Sequence, residues 1–305
     1  MDKKPRILVI GSINMDLLLQ TPRLPSPGET LLSQEYSFGP GGKGANQAVA
    51  CAMLGAETTF VCKIGNDAFG SQLRQSLKSK GVVTDYVAAS KESKSGFAVI
   101  LLEEGGNNRI IVHLASNLDL SREDIDRAFD NDYDGMIIQF ELAQDIVVYA
   151  CGLAKKKGIP FIVDAGPAIN FPLEEIQGME ILSPNETETA ALCGIFPVSE
   201  ADCERAAKAL TQRSQAKHVV LKMGEKGAFH YSAGMSKHYP AHDVKAVDAT
   251  AAGDVFTAAM AIQYLRHGDM DNAIRYATAA GALTVTKAGA QESVPCAKDV
   301  ERFLQ

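Results

Sequence analysis

The sequence predicts an α/β protein: a mostly parallel central sheet with helices on both faces, and a small separate β-sheet acting as a lid. Three observations predict it. Short apolar runs recur at RILVIG (6–11), TTFVCKIG (58–65), MIIQF (136–140), PFIVD (160–164) and HVVLK (218–222). Segments with apolar residues at helical spacing separate them, the alternation that a parallel sheet covered on both faces requires. Two stretches, 17–38 and 96–115, break this alternation and read as β-arms.

RILVIG opens the series as a buried strand. Its apolar run stops at Gly11, too short for a signal-peptide core or a membrane span. LLLQTPRLPSPGETLLSQEYSF (17–38) is rich in proline and has no helical period. A helix is expected over 43–54, with the strand 58–65 after it. GFAVILLEEGGNNRIIVHLA (96–115) reads as a hairpin, two β-rich arms around Glu-Gly-Gly-Asn-Asn (104–108). Beyond residue 130, MIIQF, the helical DIVVYACGLAKKKG, PFIVD and EILSPN (180–185) alternate. A short helix from Glu186 and a longer one over 199–213 lead to HVVLK. Helices at Asp254–His267 and Met270–Thr286 follow, ended by Gly268 and Gly289, with Ala-rich faces that allow close packing. The whole chain, 1–305, reads as a single domain. A small sheet from 17–38 and 96–115 would expose apolar residues unless it closed over a ligand or paired with another copy, so a lid and a homodimer contact are expected there.

Composition narrows the function. The chain has 305 residues, 46% hydrophobic and 22% charged, with 30 Lys and Arg against 37 Asp and Glu for a net charge of −7. That balance lacks the field that attracts nucleic acid or anionic lipid, so neither partner is expected. No stretch approaches the ~20 apolar residues of a span. The cysteines (Cys51, Cys62, Cys151, Cys193, Cys203, Cys296) include no C-x-x-C pair, and the histidines have no metal-ligand spacing. A zinc site is therefore unexpected, and a reduced, cytoplasmic compartment is the expectation.

FGPGGKGANQA (38–48) contains a literal G-x-G-x-x-G at Gly39, Gly41 and Gly44. A dinucleotide fingerprint needs a buried strand just before it. SQEYSF is polar, and RILVIG ends in Gly-Ser-Ile-Asn without the fingerprint. Asp67 falls roughly where a ribose-binding acid would stand (~20 residues on), a weak support for a nicotinamide dehydrogenase. A Walker loop fits worse, because Gly44 follows Lys43 where Ser or Thr is needed. AVDATAAGDVFTAAM (246–260) is more informative. Ala251, Ala252 and Gly253 precede a helix whose first N–H groups would converge on an anion. Asp254 follows, either as a catalytic carboxylate or as a favourable helix-dipole contact. Asn14 and Asp16 come just after the first strand, where open α/β sheets bind ligands. They suit adjacent sugar hydroxyls, with loop capping as the alternative.

GSINMD (11–16), GGKGANQA (41–48), SPNETE (183–188), DATAAGD (248–254) and GAQESVP (289–295), in this order and spacing, resemble the ribokinase family of PfkB-type sugar kinases. The resemblance covers nearly the whole chain and implies a ribokinase-like fold. The glycine loop then holds sugar: Gly41, Gly42, Lys43 and Asn46 contact its hydroxyls, with Asn14, Asp16 and Glu141 gripping others. The implied activity is ATP-dependent phosphorylation of D-ribose to D-ribose 5-phosphate, with 2-deoxyribose, fructose or a nucleoside as alternative acceptors. Asp254 would be the general base, and the N–H groups of Ala251, Ala252 and Gly253 an anion hole. Asn185 and Glu188 match a Mg²⁺–phosphate organiser. Asn185, Lys222, Gly224, Gly227, Gly253 and Thr278 are implied to bind ATP. Asp248, Thr250, Thr284, Lys287, Gly289 and Ser293 are implied to bind potassium. Two departures stand out: Ala249 where the family usually has Thr, and Thr278 where a larger side chain often lies near adenine. A catalytically silent sugar-binding protein is the remaining reading from another class.

Overall fold

The apolar runs become strands of one large sheet because each buries both of its faces. In the computed structural model, which describes residues 4–103 and 108–305, the strands are β1 (Arg6–Ile10), β2 (Asn14–Thr21), β3 (Glu35–Gly41), β4 (Glu57–Ile64), β5 (Val87–Ala89), β6 (Gly96–Glu103), β7 (Asn108–His113), β8 (Gly135–Gln139), β9 (Phe161–Asp164), β10 (Ile181–Ser183), β11 (His218–Lys222), β12 (Ala228–Ser232) and β13 (Met235–Tyr239). The helices are α1 (Lys43–Met53), α2 (Ala68–Ser79), α3 (Arg122–Ala128), α4 (Gln144–Lys157), α5 (Glu186–Cys193), α6 (Glu200–Ser214), α7 (Ala252–His267), α8 (Met270–Val285) and α9 (Ala297–Phe303).

Among the described residues the large sheet has nine strands in the order β13-β12-β11-β10-β9-β8-β1-β4-β5. Pairing is parallel from β11 to β5, and only the β11–β12–β13 edge is antiparallel. The period of two along β1 splits the core. Ile7 and Val9 point to the layer of α1, α2, α7 and α8, whereas Leu8 and Ile10 point to α3, α4 and α6. All four are fully buried, each contributing about 1.5–3 kcal/mol by leaving water. The expected α/β class and its helix-covered parallel sheet are present.

A second sheet, in the order β3-β2-β6-β7, is the expected small one. Its inner pair β2–β6 is parallel, and the outer pairs are antiparallel. The tip of its hairpin, 104–107, lies outside the described residues. Phe97 of β6 and Phe38 of β3 both stack near Phe69 of α2, with ring centroids 6.1 and 5.9 Å away, which seats the sheet on the main body. Met15, Ala98 and Ile100 of this sheet are buried, whereas Ile111 is 70% exposed and Tyr36 65%.

Several boundaries differ from the sequence reading. β2 starts at Asn14, so Asn14 and Asp16 sit on a strand of the smaller sheet and not in the loop after β1. A strand does precede the glycine loop, but β3 is an exposed edge of that smaller sheet and makes no parallel βαβ unit with α1. Asp67 is the N-cap of α2, accepting from Gly70 N at 2.7 Å and from Ser95 N at 2.9 Å, so it is spent on structure. α8 ends at Val285, and Gly289 (φ +91°) belongs to the turn beyond it. The sequence reading assigned no elements at α2, β5, α3, β12, β13 or α9. Most are short, and the polar β13 has no apolar run to announce it. Among the described residues, no helix is long and apolar enough to cross a membrane.

Candidate active site

The site forms where the carboxyl ends of β1, β8, β9 and β11 meet the amino-terminal ends of α1 and α7, with β2 and β3 bringing the smaller sheet alongside. Three glycines make this approach feasible. A Cβ on Gly41 would stand 1.9 Å from Asp16 Oδ2, and one on Gly44 would stand 2.6 Å from Gly11 C. Gly42, the N-cap of α1, has φ +90°, a region open to glycine and costly for other residues.

α1 presents three polar side chains in succession. Lys43 Nζ lies 3.7 Å from Glu188 Oε1. Asn46 Nδ2 donates to Asp254 Oδ2 at 2.9 Å, and Gln47 Nε2 donates to Asp254 Oδ1 at 3.3 Å. Asp254 itself occupies the first turn of α7. Glu141, just past β8, accepts from Ser12 Oγ at 2.5 Å and from Lys43 N at 3.4 Å, so a carboxylate compensates the positive end of α1. Asn14 Oδ1 accepts from Asn117 Nδ2 at 2.9 Å, which fixes its amide orientation and turns its own NH₂ elsewhere.

The amino end of α7 is unusual. Its N-cap, Ala251, has φ +62° in the left-handed region, and no side chain caps the helix. A non-glycine residue there is strained, of order 1–3 kcal/mol, and such strain clusters at functional sites. Lys222 Nζ lies 3.7 Å from the position a Cβ on Gly253 would take, so a cation faces this turn.

Asp164, at the carboxyl end of β9, is fully buried and accepts from Lys222 Nζ and Thr257 Oγ1, both at 2.7 Å. Burial pushes its carboxyl up, but Lys222 and Lys43 outweigh that and hold it below the usual range. Burial pulls the Lys43 ammonium down, yet the carboxylates of Asp254, Asp164, Glu188 and Glu141 keep it firmly charged. Burial lifts the Asp254 carboxyl to about 6, against the opposing pull of Lys43. Burial also lifts Asp16 to about 7, reinforced by Glu141, Asp254 and Glu292, and its Oδ1 is buried with no partner. A ligand hydroxyl would satisfy that atom.

Residues 4–297 of the chain match the family described as pfkB family carbohydrate kinase. The chain belongs to that family. It is 36% identical to the ribokinase of Bacillus subtilis over 98% of this chain and 99% of that one. It is 35% identical to a deoxyribokinase of Salmonella typhimurium, covering 98% of each. The structure of Arabidopsis thaliana ribokinase complexed with ribose and ATP superposes with a TM-score of 0.90, at 32% identity over 99% of each chain.

In this PfkB-family kinase, Asn14, Asp16, Gly41, Gly42, Lys43, Asn46, Glu141 and Asp254 converge as one cluster, and Asn185, Glu188, Lys222 and Gly253 adjoin it. Asn185 caps α5: its Oδ1 accepts from Glu188 N, and its N donates to Glu188 Oε2, both at 2.8 Å. This capping box leaves Glu188 Oε1 facing Lys43. Among the described residues no three His, Cys, Asp or Glu side chains form a metal-holding cluster. Asn185 and Glu188 offer the amide and carboxylate oxygens that a Mg²⁺ keeping most of its waters would use. Of the residues that the sequence reading implied for potassium, Asp248 makes the most hydrogen bonds. Its Oδ1 accepts from Thr250 N and Oγ1 at 2.9 and 2.6 Å, and its Oδ2 accepts from Gly289 N at 3.0 Å. Thr284 O accepts from Lys287 N at 3.2 Å, and Ser293 Oγ donates to Ala290 O at 2.9 Å. The bond from Gly289 N to Asp248 ties the loop before α7 to the turn after α8, whereas the Thr284 and Ser293 bonds are local.

Gly224 and Gly227 bracket a short turn after β11. A Cβ on Gly227 would stand 2.0 Å from Tyr239 O, so this glycine admits close backbone packing. Thr278 lies on α8, half-buried, its hydroxyl donating to Arg275 O at 2.8 Å. Its hydroxyl bond is local to α8 and does not reach the cluster. Asp164, Ser12, Gln47, Gln139 and Asn117 escaped the sequence reading as site residues. Asp164 alone carried a usable signal, as an acid ending an apolar run.

Proposed function

We propose that this kinase transfers the γ-phosphoryl group of ATP to the 5-hydroxyl of D-ribose, giving D-ribose 5-phosphate and ADP. One observation carries the reading: a buried carboxylate, Asp254, is held by two amides in the first turn of a helix with no side-chain cap. Base and anion site therefore share one turn. Asp254 takes the proton from the sugar hydroxyl as its oxygen bonds to the γ-phosphorus. The bond from that phosphorus to the bridging oxygen breaks, and ADP leaves with the electron pair. A positioned base contributes ~10²–10⁴-fold. The N–H groups of Ala251, Ala252 and Gly253 stabilise charge on the phosphoryl group, and loss of one such donor costs about 3–4 kcal/mol. Phosphoryl transfer asks mainly for positioning and charge neutralisation, which so short a loop can supply.

Asn14, Asp16, Lys43 and the backbone at Gly41 and Gly42 hold the sugar hydroxyls, with Asn46 and Glu141 alongside. Lys222, Asn185, Gly224 and Gly227 serve ATP, with Thr278 near its base. Mg²⁺, held through water by Asn185 and Glu188, would neutralise phosphate charge. Potassium at Asp248, Thr250, Thr284, Lys287, Gly289 and Ser293 would stiffen the anion loop. The lid closes over the sugar and excludes water that would otherwise hydrolyse ATP. Its exposed Ile111 and Tyr36 pair with a second copy, in a homodimer working in the cytoplasm.

The test is ADP release from Mg-ATP with D-ribose, 2-deoxyribose and fructose, with and without potassium. Ribose is expected to give the highest kcat/KM, and Asp254→Asn to abolish turnover while sugar binding persists. The deoxyribokinase relative at 35% identity makes 2-deoxyribose the second reading. A higher kcat/KM for it would replace the first.

A further inference from the structure

A chain of buried amides runs into Asp254. Gln139, the last residue of β8, donates through Nε2 to Gln47 Oε1 at 2.5 Å, and Gln47 donates through Nε2 to Asp254 Oδ1 at 3.3 Å. On the other side of the carboxylate, Asn46 Nδ2 donates to Oδ2 at 2.9 Å, while Gln291 Nε2 approaches Asn46 Oδ1 at 3.5 Å. Gln47, Gln139 and Gln291 are 0% exposed. Buried amides are costly unless paired, and apolar side chains of the same size would fill this volume at less cost. The arrangement even leaves Gln139 Oε1 buried without a partner. Gly11 makes room for it, because a Cβ there would stand 1.9 Å from that oxygen.

The hydrogen bonds fix a direction. Gln47 Oε1 is engaged by the Gln139 amide, so only its NH₂ is available to the carboxylate. An NH₂ donor matches an ionised carboxylate, which only accepts, and it also blocks rotation of the acid group. Neutral donors do this without adding a charge that would drain the basicity a proton acceptor needs. The charged groups facing Asp254 are Lys43 from α1, Lys222 from β11, Asp164 from β9 and Asp16 from β2. Burial and the two acids oppose its ionised form, the lysines and the Asn46 amide favour it, and the Gln47 amide adds a second neutral donor that sets the direction.

We infer that Gln47 and Gln139 are positioning residues for phosphoryl transfer: a two-amide relay from the sheet that holds the Asp254 carboxylate ionised and aimed at the acceptor hydroxyl. The inference rests on the reading of Asp254 as the general base. Neither glutamine touches substrate in this scheme. Each acts through the carboxylate.

The experiment is the pH dependence of kcat for Gln47→Met, Gln139→Met and Gln47→Glu beside Asp254→Asn, with KM and thermal unfolding measured on each. Methionine keeps the volume and removes the donors. Gln47→Met should lower kcat on the order of ten- to a hundredfold, as loss of one hydrogen bond to a charged group does, with KM for sugar and ATP nearly unchanged. Its acidic limb should move up by about one pH unit. Gln139→Met should shift the limb in the same direction by less, and Gln47→Glu should shift it furthest, through like-charge repulsion. If one variant fails to fold, the other two still report the sign of the shift. Inactive Asp254→Asn together with unmoved acidic limbs in the folded variants would overturn the relay and leave the base standing. Turnover surviving in Asp254→Asn would overturn both.

Discussion

Lys222 Nζ lies 2.7 Å from Asp164 Oδ2, and this ion pair aims the lysine at the amino end of α7. The same carboxylate oxygen accepts from Thr257 Oγ1 of that helix. One buried acid on β9 thus holds a cation from β11 against the helix that carries Asp254. Asp164→Asn should cost about 3 kcal/mol of stability, since removing one partner strands the other charge. It should also raise KM for ATP by releasing Lys222. Denaturant unfolding and nucleotide-dependent kinetics check both effects. An unchanged KM in a folded variant would mean that Lys222 does not serve the nucleotide.

Asp16 links stability to pH. Its carboxyl is lifted to about 7, well above its ordinary 3.8. The folded protein therefore holds a proton that the unfolded chain has lost between those values. Stability from this group is full below the ordinary value and is lost as pH rises through about 7. Asp16→Asn should raise the thermal midpoint at pH 8 by ~1–3 °C, with no gain at pH 4, while sugar affinity falls. Calorimetry across that range decides it. A destabilised variant at pH 8 would show that the carboxylate is better satisfied than its partnerless Oδ1 suggests.

Two glycines separate function from folding. A Cβ on Gly166 would stand 2.3 Å from Lys43 Cε and 2.5 Å from its Nζ, the mobile end of a side chain. Gly166→Ala should fold with little loss and raise KM for the sugar by displacing Lys43. A Cβ on Gly44 meets Gly11 Cα and C and Ser12 N, all within 2.7 Å. Backbone cannot swing aside, so Gly44→Ala should lose several kcal/mol, as overpacked sites do at about 1–3 kcal/mol or more. Measuring unfolding and KM for both variants would reverse this assignment if the order of stability were opposite.

The outer strand of the smaller sheet bears on the proposed assembly. Ile111 of β7 is 70% exposed beside Ile110 at 51%. Charge on such an edge discourages strand pairing. Ile111→Lys should convert a homodimer to monomer in sedimentation velocity, leaving the unfolding midpoint of the monomer unchanged. A natural chain that sediments as a monomer at micromolar concentration would remove the dimer from the proposal.

Much of this was legible along the chain. The continuous apolar run RILVI already implied helices on both faces, and Ile7 and Val9 do pack in one core layer, Leu8 and Ile10 in the other. The proline-rich arm and the 96–115 hairpin announced a second sheet. DATAAGD placed an acid in the first turn of a helix, and the glycines around Lys43 marked close backbone approach. By contrast, β2's start at Asn14 was hidden, because the polar Asn14 and Asp16 just after Gly11 and Ser12 resemble a loop. Asp67 resembled a ribose acid until the N-cap of α2 claimed it.

Local periodicity therefore determined many of the strands and longer helices and the two β-arms of the small sheet, since each depends on residues two to four apart. Only the tertiary structure decided which groups meet. Asn46 reaches Asp254 across 208 residues, Gln139 reaches Gln47 across 92, and Lys222 reaches Asp164 across 58. Those pairings follow from the order of strands in the sheet and the seating of α1 beside α7. The buried acids' proton affinities follow in turn, because desolvation and neighbouring charge are properties of a place in the fold and not of a residue type.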